Sequence, residues 1–184
     1  FFAKDLEIRP LDIPQVTNGA QVFDFRTMRR KDGSHVEIEL VTRILPDGRY
    51  LAVGRDITDQ VKSLSQQILL SSIVNSSDDA IISTDLNGFV TSWNTGAELM
   101  YGYTAAEMLG RDTMILLPED IFNDEREMLK RVLLGESLQH YETGRLRKDG
   151  SVLRVSITAS PLLNYKGEVI GLSKIARDIT RKKI

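Results

Sequence analysis

One pentapeptide occurs twice in this chain. Arg30-Lys31-Asp32-Gly33-Ser34 returns unchanged as Arg147-Lys148-Asp149-Gly150-Ser151, and Arg55-Asp56-Ile57-Thr58 returns as Arg177-Asp178-Ile179-Thr180. Asp32 and Asp56 lie 24 positions apart and Asp149 and Asp178 lie 29 apart, so the second copy carries five extra residues between its motifs. The residues between agree in pattern. Val36, Ile38 and Leu40 alternate with polar neighbours in the first copy, as Leu153, Val155, Ile157 and Ala159 do in the second. A period of two marks a strand with one buried and one wet face. Within 184 residues the repeat demands two related units, and a single undivided core is excluded.

Each copy reads as an antiparallel meander. Pro46-Asp47-Gly48 turns the first copy back along about Arg49–Arg55, and Asn164-Tyr165-Lys166-Gly167 turns the second along about Glu168–Arg177. The Arg-Lys-Asp-Gly turns join these hairpins to earlier strands near Val22–Met28 and Leu138–Leu146. Between the copies, Ile57–Ser72 lacks Gly and Pro. Ile57, Val61, Leu64 and Ile68 are spaced 4, 3 and 4, which predicts a helix that either forms a short coiled-coil seam or packs on a neighbour. Asp56 or Thr58 can accept from its first free amides.

Upstream in the second copy, Ala80–Asp85 and Phe89–Trp93 flank Leu86-Asn87-Gly88, a hairpin. Thr95-x-x-Glu98 and Thr104-x-x-Glu107 read as capping boxes of short helices. Glu119–Leu134 predicts a longer amphipathic helix with Ile121, Met128, Leu129, Val132 and Leu133 on its apolar stripe. The expected class is α+β, a five-stranded antiparallel sheet with helices on one face.

Composition narrows the function. Lys plus Arg total 24 against 26 Asp plus Glu, a net charge of −2, which argues against nucleic-acid binding. No apolar run approaches the ~18 residues of a membrane span, so no membrane contact is expected. The absence of cysteine removes thiol catalysis and thiolate metal sites, and a disulfide-free acidic domain suits the cytoplasm. The chain starts at Phe1, as expected of a fragment or processed product. His35 and His140 lie in different copies, and no nucleophile, metal or phosphate-loop arrangement can be assembled around them.

The ordered set of the Asn87-Gly88 hairpin, Trp93-Asn94, Gly102-Tyr103, Glu107-x-x-Gly110, Pro118, Lys148-Asp149-Gly150 and Asp178-Ile179-Thr180 resembles the PAS domains of signalling proteins. The resemblance covers the second copy over its whole length. The first copy resembles the C-terminal part of another PAS domain, beginning at the end of its long helix. The implied organisation is a partial domain over residues 1–58, a connecting helix over 59–74 and a complete domain over 75–184. The implied strand order is 2-1-5-4-3.

The resemblance also implies that the strand ending in Asp-Ile-Thr biases the helix that follows. It places signal relay on Asp56, Thr58, Asp178 and Thr180; helix capping alone would use the same residues. The chain is then a sensory segment of a multidomain protein, a sensor histidine kinase first, a diguanylate cyclase or phosphodiesterase second, with a downstream effector domain. It either senses a small molecule in the second core or, as the alternative, is a ligand-free dimerisation and interaction module relaying signals between neighbouring domains. It contains no phosphoacceptor or ATP-binding motif and is not expected to be the enzyme. A homodimer through the connecting helix is expected.

Cofactor subclasses of the family can be compared at single positions. Thr113 stands where photosensing flavin domains carry their adduct-forming Cys, and Leu117 stands where they carry Gln. The haem-ligating His of oxygen sensors would fall near Glu125, and Glu119–Leu134 has no His. Covalent flavin and this mode of haem ligation are argued against, whereas non-covalent flavin or a small metabolite stays open. The residues expected at the interior are Ile82, Thr84, Leu99, Ile115, Met128, Leu129, Val132, Ile157 and Ile175, either as plain core or as the lining of a ligand pocket.

Overall fold

A computed structural model describes residues 21–180. The expected end of a long helix in the first copy, and the helix that would follow Thr180, lie outside the described residues. The chain divides into two units, residues 1–69 and 70–184, with the boundary inside the connecting helix.

The first unit contains β1 (Gln21–Arg29), β2 (His35–Ile44) and β3 (Tyr50–Asp56), paired antiparallel in that order. The alternation in β2 is realised as expected: Val36, Ile38, Leu40 and Thr42 are buried. On the opposite face Phe23, Phe25 and Val53 are exposed. Helix α1 (Thr58–Asn75) follows at once and buries none of its residues.

The second unit is a five-stranded antiparallel sheet. Its strands are β4 (Ala80–Thr84), β5 (Val90–Trp93), β6 (Leu138–Leu146), β7 (Val152–Leu163) and β8 (Val169–Asp178), in the order β5-β4-β8-β7-β6. Renumbered within the unit, this is the implied order 2-1-5-4-3. Helices α2 (Thr95–Tyr101), α3 (Ala105–Met108) and α4 (Phe122–Leu133), with two 3₁₀ turns ahead of α4, lie between β5 and β6. The core joins Val155, Ile157 and Leu172 of the sheet to Tyr101, Met108, Leu116 and Val132 of the helical layer.

Two helix starts differ from expectation. Asn94, not Thr95, caps α2: its side-chain oxygen accepts from the Ala97 amide at 2.8 Å. Glu98 instead turns its carboxylate to the Ala105 amide at the head of α3, 2.6 Å away. The long helix begins at Phe122, because no side chain caps its start and Glu119–Ile121 tighten into a 3₁₀ turn. The box of Thr104 and Glu107 forms as read.

Candidate signal-relay site and the interior of the second unit

Each meander ends in the same clasp. In the first unit Arg30 Nη2 donates to Asp56 Oδ2 at 2.5 Å, and the Thr58 amide and hydroxyl donate to Asp56 Oδ1 at 3.0 and 2.6 Å. Thr58 Oγ1 accepts from the Glu37 amide, 3.0 Å away in β2. In the second unit Arg147 Nη2 reaches Asp178 Oδ2 at 3.3 Å, the Thr180 amide donates to Asp178 Oδ1 at 2.8 Å, and Thr180 Oγ1 accepts from the Arg154 amide at 3.1 Å. Arginine, aspartate and threonine thus pin the end of the last strand to its hairpin. The Thr58 hydroxyl and amide, with Arg30 beside them, hold the Asp56 carboxyl below the usual carboxylate range. The four residues expected to relay, Asp56, Thr58, Asp178 and Thr180, stand together in two pairs, one at the end of each sheet.

The entry to the second unit is bracketed by buried Asn94. Its amide group donates to the Val74 carbonyl of α1 at 2.9 Å and to the Asp79 carbonyl at 3.1 Å. Its side-chain oxygen accepts from the Ile81 amide of β4 and from the Ala97 amide of α2, both at 2.8 Å. Only glycine fits at position 96, since a Cβ there would stand 2.4 Å from the Asp79 carbonyl oxygen. Arg177, the neighbour of Asp178, grips Asp79 with two hydrogen bonds of 3.0 and 2.6 Å. The last turn of α1 and the last residues of β8 are therefore joined through one loop.

The interior differs from the expected list. Ile82, Thr84, Met128, Val132 and Ile157 are buried as read, with the Thr84 hydroxyl lacking a partner, and Leu129 is half-buried against the core. Leu99, Ile115 and Ile175 are 80%, 39% and 41% exposed, so they line nothing. In α2 the inward positions belong to Met100 and Tyr101. In the 3₁₀ turn Leu116 points in rather than Ile115. In β8 the inward phase is Leu172, Lys174 and Ala176, which turns Ile175 outward.

A charged cluster lies in the interior. Arg145 Nη2 of β6 donates to Glu125 Oε2 of α4 at 2.5 Å, and Lys174 Nζ of β8 donates to Glu125 Oε1 at 2.6 Å. No side chain of the three is more than 7% exposed. Burial works to raise the Glu125 pKa, but the charges of Lys174 and Arg145 outweigh it and keep the carboxylate ionised. Burial pushes the Tyr101 phenol nearby up to about 12. Position 125, where a haem-ligating histidine would fall, carries a glutamate whose functional place the sequence expectations do not include. The signal was present: position 125 is in phase with Ile121, Met128 and Val132 on the apolar stripe.

A cavity of about 20 Å³ lies among Tyr101, Thr113, Glu125, Arg145 and Lys174, closed on its apolar side by Ile82 and Ile157. That volume holds about one water-sized occupant. Flavin-sized ligands need hundreds of cubic ångströms, so the residues as packed do not fit a flavin, and Thr113 offers no thiol for a covalent one. Among the described residues no group of three or more His, Cys, Asp or Glu side chains is arranged to hold a metal, and no helix is long and apolar enough to cross a membrane.

A family model described as the PAS fold matches residues 69–179. The Two-component system protein A of Emericella nidulans is 34% identical over 107 residues, which is 58% of this chain and 16% of that protein. The Signal transduction histidine-protein kinase AtoS of Escherichia coli is 28% identical over 133 residues, 69% of this chain and 21% of that one. The chain thus spans about a fifth or less of the length of these relatives. The crystal structure of the PAS domain of a Colwellia psychrerythraea protein superposes with a TM-score of 0.57 at 30% identity, covering 65% of this chain and 99% of that one.

Proposed function

The chain belongs to the PAS-fold family, and on that premise we propose that it is the relay segment of a larger signal-transduction protein, with a sensor histidine kinase as parent. The two-component and histidine-kinase relatives support that choice of parent. The observation that carries the reading is the duplicated clasp. The same arginine, aspartate and threonine make equivalent hydrogen bonds at the end of both sheets, Arg30-Asp56-Thr58 and Arg147-Asp178-Thr180. Capping alone needs only the aspartate and threonine; the arginine adds a tie from the helix start back to a neighbouring hairpin. A change in strand register or twist then reaches the following helix as a change in its first turn. The test is Asp178→Ala in the intact parent, read as kinase output. Altered output with an unchanged unfolding midpoint supports relay, and unaltered output removes it.

A second feature favours relay between copies of the chain. Leu64, Ile68, Leu70 and Ile73 of α1 are exposed, and Val61, Leu64 and Ile68 keep the spacing of a two-helix seam. The occupant of this stripe is a second α1 in a homodimer. Sedimentation over a range of concentrations should show a dimer that Val61→Asp with Leu64→Asp converts to monomer. A monomer at every concentration sinks the homodimer. The small interior cavity supports a relay that works without a flavin-sized ligand, its input arriving through the chain and its output passing to a downstream effector domain.

A further inference from the structure

Glu125, Arg145 and Lys174 come from three elements and meet in the interior, none of their side chains more than 7% exposed. Their charges sum to one positive unit, because one carboxylate serves two cations. The first turn of α4, which carries Glu125, adds the positive end of its helix dipole. Tyr101 cannot supply the missing negative charge, since its phenol stays protonated up to about pH 12. Thr113 is neutral. An uncompensated charge at such depth is strongly disfavoured.

Donors are also in excess. Arg145 Nη1 satisfies Thr143 Oγ1 at 3.2 Å and the Gly144 carbonyl at 2.9 Å, and Nη2 serves Glu125. The Lys174 ammonium has three N–H groups, of which Glu125 takes one at 2.6 Å. The cavity of about 20 Å³ opens onto both cations. It is large enough for one atom or one water molecule and too small for phosphate, sulfate or a carboxylic metabolite.

We propose that this cavity takes one monovalent anion of halide size, bound by the Lys174 ammonium and the Arg145 guanidinium. The anion neutralises the cluster and fastens α4 to β6 and β8, so its occupancy sets how firmly the helical layer is held to the sheet. A single water in the same place would satisfy donors but leave the charge.

The test uses the 184-residue chain in sodium chloride, with sodium gluconate of matched ionic strength as reference. Gluconate is too large to enter. With chloride at about tenfold its dissociation constant, the unfolding midpoint should rise by about 5 °C over the reference and then saturate. Chlorine-35 NMR should show excess line width that bromide competes away. Lys174→Met should abolish the broadening. Should that variant not fold, Ala176→Val, which fills the cavity while leaving the three charges in place, should abolish it too. No excess width in the wild-type chain overturns the proposal, because the cavity then holds water. Width that persists in Ala176→Val also overturns it, because the anion then sits elsewhere. Relay is read in the intact parent and dimerisation by sedimentation, so failure here leaves both untouched.

Discussion

Aligned on the repeated motifs, Met28 of the first unit stands where the second has Arg145, and Ala52 stands where the second has Lys174. The first unit has a buried arginine of its own, but Arg26 pairs with Asp24, two residues away on the same strand, at 2.6 Å. Its second-unit counterpart by motif is the uncharged Thr143. In the second unit the charges come from a helix and two strands that are not neighbours in the sheet. The clasps, by contrast, share the arginine–aspartate contact, the threonine amide bond to the aspartate and the strand amide bond to the threonine hydroxyl, and differ only in where that hydroxyl donates, Asp56 in the first and the Arg154 carbonyl in the second. Among the described residues, what the two units share is the end of the last strand, and what they do not share is the chemistry beneath it. The proposed relay is thus separable from whatever sets the state of the interior.

Glu125→Ala should break the comparison most severely. It strands Arg145 and Lys174 as unpaired buried cations, and the expected loss is about 3–5 kcal/mol, measured by urea unfolding of the chain. Giving the second unit the residues of the first, Arg145→Met with Lys174→Ala, together with Glu125→Leu, removes all the charges at once. That triple variant should fall close to wild type in stability. A single variant within ~1 kcal/mol of wild type would mean that water reaches the cluster.

Asn94→Ala comes next. It releases two carbonyls and two amides at the junction of α1, β4 and α2. Loss of a cap together with buried bonds costs about 2–3 kcal/mol. Hydrogen exchange should localise the loss to the amides of Ile81 and Ala97, and uniform protection in the variant would refute the bracket. The first unit has no counterpart among its described residues.

What could be read in advance follows from the same contrast. The strand phases of β2 and β7 were legible, because a period of two leaves little freedom. The sheet order followed from the resemblance, and of the clasps the aspartates and threonines were legible but not their arginines. The cluster was missed because aliphatic residues were assigned inward without regard to phase. In β8, Leu172 and Ala176 cannot both be buried unless Lys174 is buried with them. Taking Ile175 as core ignored that constraint. The charged residue sharing an apolar phase in α4 and in β8 was the available sign. The size of the cavity was not legible, since it depends on packing at the scale of a methyl group.

The smallest expected effect concerns a residue the two units do share. Lys31 and Lys148 occupy the same place in the repeat, but among the described residues only Lys148 meets a capping glutamate: its Nζ lies 2.5 Å from Glu107 Oε1. The Lys148 hydrogen bond, helped by the Thr104 amide, lowers the Glu107 pKa to about 2. Because the folded-state value lies below the ordinary 4.5, the pair stabilises fully above that pH, and its contribution is lost as the pH falls from about 4.5 towards 2. Glu107→Gln keeps an acceptor for the Thr104 amide and discards the charge, so the box survives and only the ion pair is removed. Unfolding midpoints should therefore separate at pH 7, with wild type higher, and converge near pH 2. The gap should be small, because the pair is solvent-exposed and salt screens it. Equal midpoints at pH 7 would show that Lys148 contributes nothing through its charge.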